Sequence, residues 1–186
     1  MSTHKQHADI GTYFVTFTCY NWLPLFELTN GYNGVYNWFE IIQQKGAYVI
    51  GYVIMPNHVH CLIHINNNEL NLNKLVANGK RFLAYEIVEN LQILNKKDVL
   101  AILAKGVQEK ELEKGKKHQV FRLSFDARLC YDEPMLEQKL NYIHKNPVSG
   151  KWNLVDNFIN YKHSSACFYE MGKDGHIKVT HYKDIV

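Results

Sequence analysis

An α+β fold, an antiparallel sheet with helices packed on it, is predicted by three features of the sequence. An alternating strand pattern stands near the start, two apolar runs joined by three residues follow, and segments of helical period lie between and after them. Tyr13, Val15, Phe17 and Cys19 fall on one face of the first segment, and Phe14, Thr16 and Thr18 on the other. After a turn-rich stretch at Asn30 to Gly34, Val35, Trp38, Phe39 and Ile42 recur at helical spacing and stop before Gly46. Ala47 to Ile54 and His58 to Ile65 are apolar, β-branched runs linked by Met55-Pro56-Asn57, predicting an antiparallel hairpin at the centre of the sheet. From Glu69 to about Leu94 the period is helical again. Leu72, Leu75, Val76, Phe82, Ile87 and Leu91 are available to a buried side, and Gly79 weakens the pattern locally. Lys96 to Lys117 reads as a further helix ending in a mobile KGKK loop, and His118 to Phe125 as a strand. A last helix runs from about Pro134 to His144, with Asp132 as cap and Pro147 forcing its end. The order strand, helix, strand, strand, helix, strand is that of a ferredoxin-like sandwich.

With 186 residues and no Pro/Gly/Ser-rich linker, the chain reads as one domain over 1–186, carrying a charged insert at about 96–117. No apolar stretch approaches a membrane span, and the opening MSTHKQHADIGTYF lacks the basic-then-apolar pattern of a leader. A soluble, cytoplasmic protein with no membrane partner is expected. Cys19, Cys61, Cys130 and Cys167 are far apart with no CxxC pair, which argues against a zinc ribbon or disulfide framework and for reduced thiols. A formal charge of +3 permits a polyanionic partner without demanding one.

Period 2 sets Val59, Cys61, Ile63 and Ile65 on one face of their strand and His58 and His60 side by side on the other. Two imidazoles so placed are half of a divalent-metal site, although a lone HxH also suits incidental histidines on a partly exposed strand. In the helix ending EQKLNYIHKNPV, Leu136, Leu140 and Ile143 form the buried stripe. Tyr142 falls about 200° from Leu140 at roughly 100° per residue, and Asn146 and Lys139 share its face. One face then offers a nucleophile, a neutral oxygen ligand and a cation. A surface tyrosine beside a helix-ending asparagine fits the same pattern.

GYVIMPNHVHCLI at Gly51 to Ile63 and LNYIHKNPVSGKW at Leu140 to Trp152 together resemble the single-tyrosine HUH transposases, the insertion-sequence single-strand transposases. Within them the likeness is nearest to the REP-associated tyrosine transposases, with YFVTFT and the YKHSSACFY tail at Tyr161 to Tyr169 in support. The resemblance implies that His58 and His60 bind a divalent metal, Mg2+ or Mn2+, with Asn146 as third ligand. It also implies that Tyr142 attacks DNA, cleaving and rejoining a single strand through a 5′-phosphotyrosine intermediate. Asn at position 146 is similar to the REP-associated branch, where the insertion-sequence branch more often has Gln. Single-stranded or hairpin DNA is the implied partner, in a bacterial cytoplasm and nucleoid-associated when bound, and a homodimer stays open. Lys80 and Arg81 fall where the family carries a basic DNA-facing helix, and the insert at 96–117 departs from its pattern.

A phenol is largely protonated at neutral pH, with an ordinary pKa near about 10, so its attack on phosphorus needs an electrophile beside it. Unpaired bases would stack on aromatic rings, for which Trp22, Trp38, Tyr48, Tyr52 and Trp152 are candidates, and most aromatics of a small domain are core. Three other readings stand beside this one: a domesticated, inactive hairpin-DNA-binding protein, a nucleotide hydrolase of the histidine-triad kind, and an RNA-processing nuclease. The second would want a further histidine where Leu62 stands.

Overall fold

The computed structural model describes residues 10–150 and 152–185. His4 and His7, with the rest of the opening read above as no leader, and Lys151 of the second motif lie outside them. Four strands, β1 (Gly11–Thr18), β2 (Tyr48–Met55), β3 (His58–Ile65) and β4 (Asp126–Cys130), form one antiparallel sheet in the order β2-β3-β1-β4. The helices are α1 (Leu25–Leu28), α2 (Tyr32–Gln44), α3 (Leu72–Ile93), α4 (Lys97–Lys105), α5 (Glu109–Leu112), α6 (Glu133–Lys145) and α7 (Ala166–Met171). Among the described residues no helix is long and apolar enough to cross a membrane.

The alternation in the strands sorts the two faces of the sheet. Tyr13, Val15 and Phe17 of β1 and Val59, Cys61 and Ile63 of β3 join Val35, Phe39 and Ile42 of α2 and Val76, Leu83 and Ile87 of α3 in the larger core. Phe14, Val53 and Leu62 point the other way and meet Leu136, Leu140 and Ile143 of α6 in a second core. The sheet is thus covered on both sides, and β3 is buried along nearly its whole length. Two glycines permit the closest approaches. A Cβ on Gly51 would stand 2.5 Å from Leu140 Cδ2, so α6 packs on β2 because that position is bare, and a Cβ on Gly79 would collide with the Trp38 indole.

Several expectations are corrected. The hairpin is not central as a whole: β3 is an inner strand, but β2 is the edge. That edge is covered by the tail, where Ile54 N donates to His163 O, Ser165 N to Tyr52 O and Thr180 N to Val49 O. The last strand is Asp126–Cys130 rather than His118 to Phe125, whose backbone makes a single bridge, Phe121 to Cys19. On α3 it is Leu83 that is buried, and Phe82 faces water at 60% exposure. The insert divides into α4 and α5, and α4 lays Val99 and Leu103 into the larger core. Asp132 caps α6 by accepting from Met135 N at 2.9 Å, as its position before Pro134 implies. Cys19 and Cys61 are buried, Cys130 and Cys167 half-buried, and all four are free thiols.

Two buried histidines tie the tail to α6 and α2. His144 of α6 holds Ser165 Oγ through Nε2 at 2.9 Å, and Ser165 Oγ accepts from Tyr52 N at 2.9 Å. His163 is bonded through Nδ1 to Tyr36 Oη at 2.7 Å and stacks on Tyr32. Burial lowers both to about 4, with the charges of Lys162 and His176 adding to the effect on His163.

Gly79→Ala should destabilise the protein even though alanine favours a helix by about 1 kcal/mol over glycine, because displacing a buried indole costs about 1 to 3 kcal/mol. Urea unfolding measures the balance, and a stabilised variant would mean that Trp38 yields freely. The unfolded chain takes up protons on His144 and His163 as pH falls through about 6.5, whereas the folded chain resists until about 4. Stability is therefore full above about pH 6.5 and declines toward pH 4. Thermal midpoints at pH 7.5 and pH 5, roughly either side of that threshold, should differ, with the acid value lower. Equal midpoints would count against both rings being held neutral.

Candidate metal and nucleophile site

β1 and β3 pair so that Thr16 stands opposite His60 and Thr18 opposite His58, all on the face that α6 covers. His58 and His60 are 5% and 6% exposed, and their ring centroids are 4.6 Å apart at 76°. The rings are held by neighbours at their Nδ1 atoms. Asn57 Nδ2 donates to Trp22 O at 3.1 Å, which turns Asn57 Oδ1 toward His58 Nδ1 at 2.6 Å. A carbonyl oxygen only accepts, so the His58 proton sits on Nδ1. Thr16 Oγ1 engages His60 Nδ1 at 2.7 Å. With each Nδ1 engaged, Nε2 is the nitrogen left for coordination.

Burial is the main reason why His58 is pushed down to about 4 and His60 to about 3. For His60 the charges of His58 and Lys139 act in the same direction, while the Asn146 side chain partly restores His58. Both rings are neutral at pH 7, the form that binds a metal.

α6 brings its exposed face to this pair. Tyr142, 51% exposed, lies edge-on to His60 with centroids 5.1 Å apart, and Phe14 completes the group by stacking on His60 at 5.4 Å. Lys139 Nζ lies over the Phe14 ring at 5.0 Å. Asn146 closes the helix, and its Oδ1 is buried without a hydrogen-bond partner among the described residues, although it is near enough to His58 to favour that ring's protonated form. An unsatisfied buried carbonyl oxygen costs free energy unless something binds it. The described residues hold no cluster of three His, Cys, Asp or Glu. The donor set is instead two imidazole nitrogens and one carboxamide oxygen, neutral ligands of the kind that divalent cations accept.

His58, His60, Tyr142, Asn146 and Lys139 therefore come together. Lys80 and Arg81 do not: they sit on α3, across the sheet. Lys80 Nζ donates to Arg122 O at 2.8 Å and Ser124 O at 3.3 Å, and burial, then Lys116, brings it down to about 8. Arg81 lies over the Phe82 ring. Asn57 and Thr16 escape a reading by motif. The polar alternation of β1 marks Thr16 as facing the histidines, but only the pairing register shows which histidine it holds.

No family model matches the sequence, and no curated protein does. Among solved structures, the chain is similar to a REP-associated tyrosine transposase bound to a REP hairpin, at TM-score 0.60 and 16% identity over 98% of this chain and 95% of that one. A Deinococcus radiodurans protein classed as a candidate transposase is more distant, at TM-score 0.38 and 14% identity over 77% of this chain and 95% of that one. The chain thus has, along nearly its full length, the α+β fold of a REP-associated tyrosine transposase.

Proposed function

We propose that this chain is a metal-dependent transesterase acting on single-stranded DNA, of the single-tyrosine HUH transposase family, with Tyr142 as nucleophile. One observation carries the reading: an exposed tyrosine stands against two buried neutral imidazoles, with an orphaned carboxamide oxygen beside them. His58, His60 and Asn146 would hold Mg2+ or Mn2+, which when bound supplies positive charge to the scissile phosphate. Tyr142 Oη attacks phosphorus, the new O–P bond forms as the P–O3′ bond breaks, and the phenolic proton goes to solvent. The departing 3′ oxygen takes up a proton. A 5′-phosphotyrosine and a free 3′-hydroxyl result, and attack by a 3′-hydroxyl reverses the step without ATP. Asn57 keeps His58 in one tautomer, and Asn57 and Thr16 keep the two rings in orientation throughout. Lys139 adds a cation on the same side.

The hairpin partner named for the structural neighbour extends to this chain as part of the proposal. A groove between α3 and residues 111–125 carries Lys80, Arg81, Lys116, Lys117 and Arg122, besides Glu89 and the paired Lys114 and Glu111, and this excess of cations supplies charge for a nucleic-acid backbone. Lys80 there supports the loop that shapes the groove, and Arg81 stays available at the rim.

His58→Ala or His60→Ala should abolish manganese binding in calorimetry together with strand cleavage, and Asn57→Ala should weaken manganese by about 10- to 100-fold. Unchanged affinity in all three would exclude the site. Tyr142→Phe should alter stability by no more than about 0.5 to 1.5 kcal/mol, since one exposed hydroxyl is lost. It should also eliminate the slow-migrating protein–DNA species that the unaltered chain forms with manganese and a cleavable single strand on a denaturing gel. Mass spectrometry should find the nucleotide on Tyr142. Binding of DNA without an adduct on any strand would instead favour the inactive hairpin-binding reading.

A further inference from the structure

The aromatic rings offered by the sequence for stacking are narrowed by the structure to two. Trp38 and Tyr52 are core residues, and Tyr48 sits beside His64, away from the His58 end of β3. Trp22 and Trp152, by contrast, both border His58, each with its ring centroid 6.2 Å from the imidazole, at interplanar angles of 78° and 49°.

Trp22 is held there against two costs. Its side chain is 52% exposed, so half of a large apolar ring stays in water. Its backbone, with that of Asn21, is left-handed at φ 56° and 50°, a conformation that crowds the Cβ of any residue but glycine. Two such residues in succession persist only if the surroundings fix them. Here they are fixed by the site itself: the Asn57 carboxamide that orients His58 also donates to Trp22 O, and Cys19 N donates to Asn57 O at 2.8 Å. Arg122, which is exposed, lays its guanidinium over the indole at 5.4 Å. An indole raised from the surface next to a phosphate-directed site, with a cation on it, suits a flat ligand attached to a phosphate chain. A nucleobase in a strand is such a ligand, and stacking on an indole asks nothing of its identity.

We propose that Trp22 and Trp152 form a cleft that takes one unpaired base of the bound strand next to His58, with Arg122 holding an adjoining phosphate. This rests on the reading of the His58–His60 pair as the place of the scissile phosphate. Trp22 is a positioning residue: stacking the base sets the strand's register against His58 through the shared Asn57 link. Arg122 also belongs to the α3 groove, so the cleft continues the path of the backbone from that groove to the histidines.

The test uses the full chain with Tyr142→Phe, to prevent turnover, and a hairpin oligonucleotide with an unpaired flank. An abasic nucleotide is placed at each unpaired position in turn and affinity is read by fluorescence anisotropy. One position should lose roughly 5- to 150-fold, the range for one stacked base. Trp22→Leu should lose a similar factor on the intact strand and make that same position indifferent to the abasic change, while Trp22→Phe keeps most of the affinity. Arg122→Ala, which leaves the indole in place, should reduce the salt dependence by about one phosphate contact. Abasic and Trp22→Leu losses that simply multiply at every position, or full affinity in Trp22→Leu, would overturn the cleft. A strand that shows the coupling but is never joined to Tyr142 in the unaltered chain supports the cleft and defeats the transesterase reading. A strand that is joined to Tyr142 with no coupling at any position does the reverse.

Discussion

The register of β1 against β3 is the constraint on which the site depends. Thr16 opposite His60 and Thr18 opposite His58 place both imidazoles on the side that α6 covers, and a shift of one residue would send them into the larger core. The apolar residues between them resist that shift. Val59, Cys61 and Ile63 are fully buried against α2 and α3, so the slip would bury histidines there and expose three apolar side chains to α6. The packing of the face away from the site is what aims the site.

Burying two imidazoles side by side has a consequence for their charge. Each is desolvated, and at His60 the charges of His58 and Lys139 further oppose protonation. Neutrality at physiological pH is thereby built into the strand, and the Asn57 contact gives His58 a defined tautomer while Thr16 holds the His60 ring by its Nδ1. The orphaned Asn146 oxygen belongs to the same arrangement. It is buried where α6 ends, beside the His58 ring.

Much of this was legible in the sequence where periodicity and side-chain chemistry agree. In β3 the alternation assigns the two faces, and in α6 the stripe of Leu136, Leu140 and Ile143 leaves Tyr142 outside the core, where it is found. Legibility failed where long-range pairing overrides local pattern. His118 to Phe125 looks like a strand, but β1 takes its partner from Asp126–Cys130. Phe82 looks like a core residue, but Leu83 is the one turned inward. Gly79 looks like a weakness in α3 and is a seat for Trp38, a role that needs the partner helix to be seen. Lys80 looks like a free basic side chain, yet its ammonium donates to two backbone carbonyls, a bond across more than forty residues that no local signal announces.

On the proposed reading Tyr142 has to be exposed to meet a strand and yet held to a fixed place beside His60, and α6 reconciles these demands by being anchored on its far side. Leu140 fills the space left bare by Gly51, and His144 reaches Ser165, which is itself bonded to Tyr52 of β2. These anchors stand two residues either side of Tyr142. They secure the turn of helix that carries it while leaving its ring outward, in contact only with Phe14 and His60 among the ring pairs of the described residues. The tail segment that supplies Ser165 also covers the β2 edge, so the same short stretch closes the sheet and braces the helix. A change in that tail would therefore act on Tyr142 without touching it, by loosening the height of α6 above β3 rather than the chemistry of either histidine.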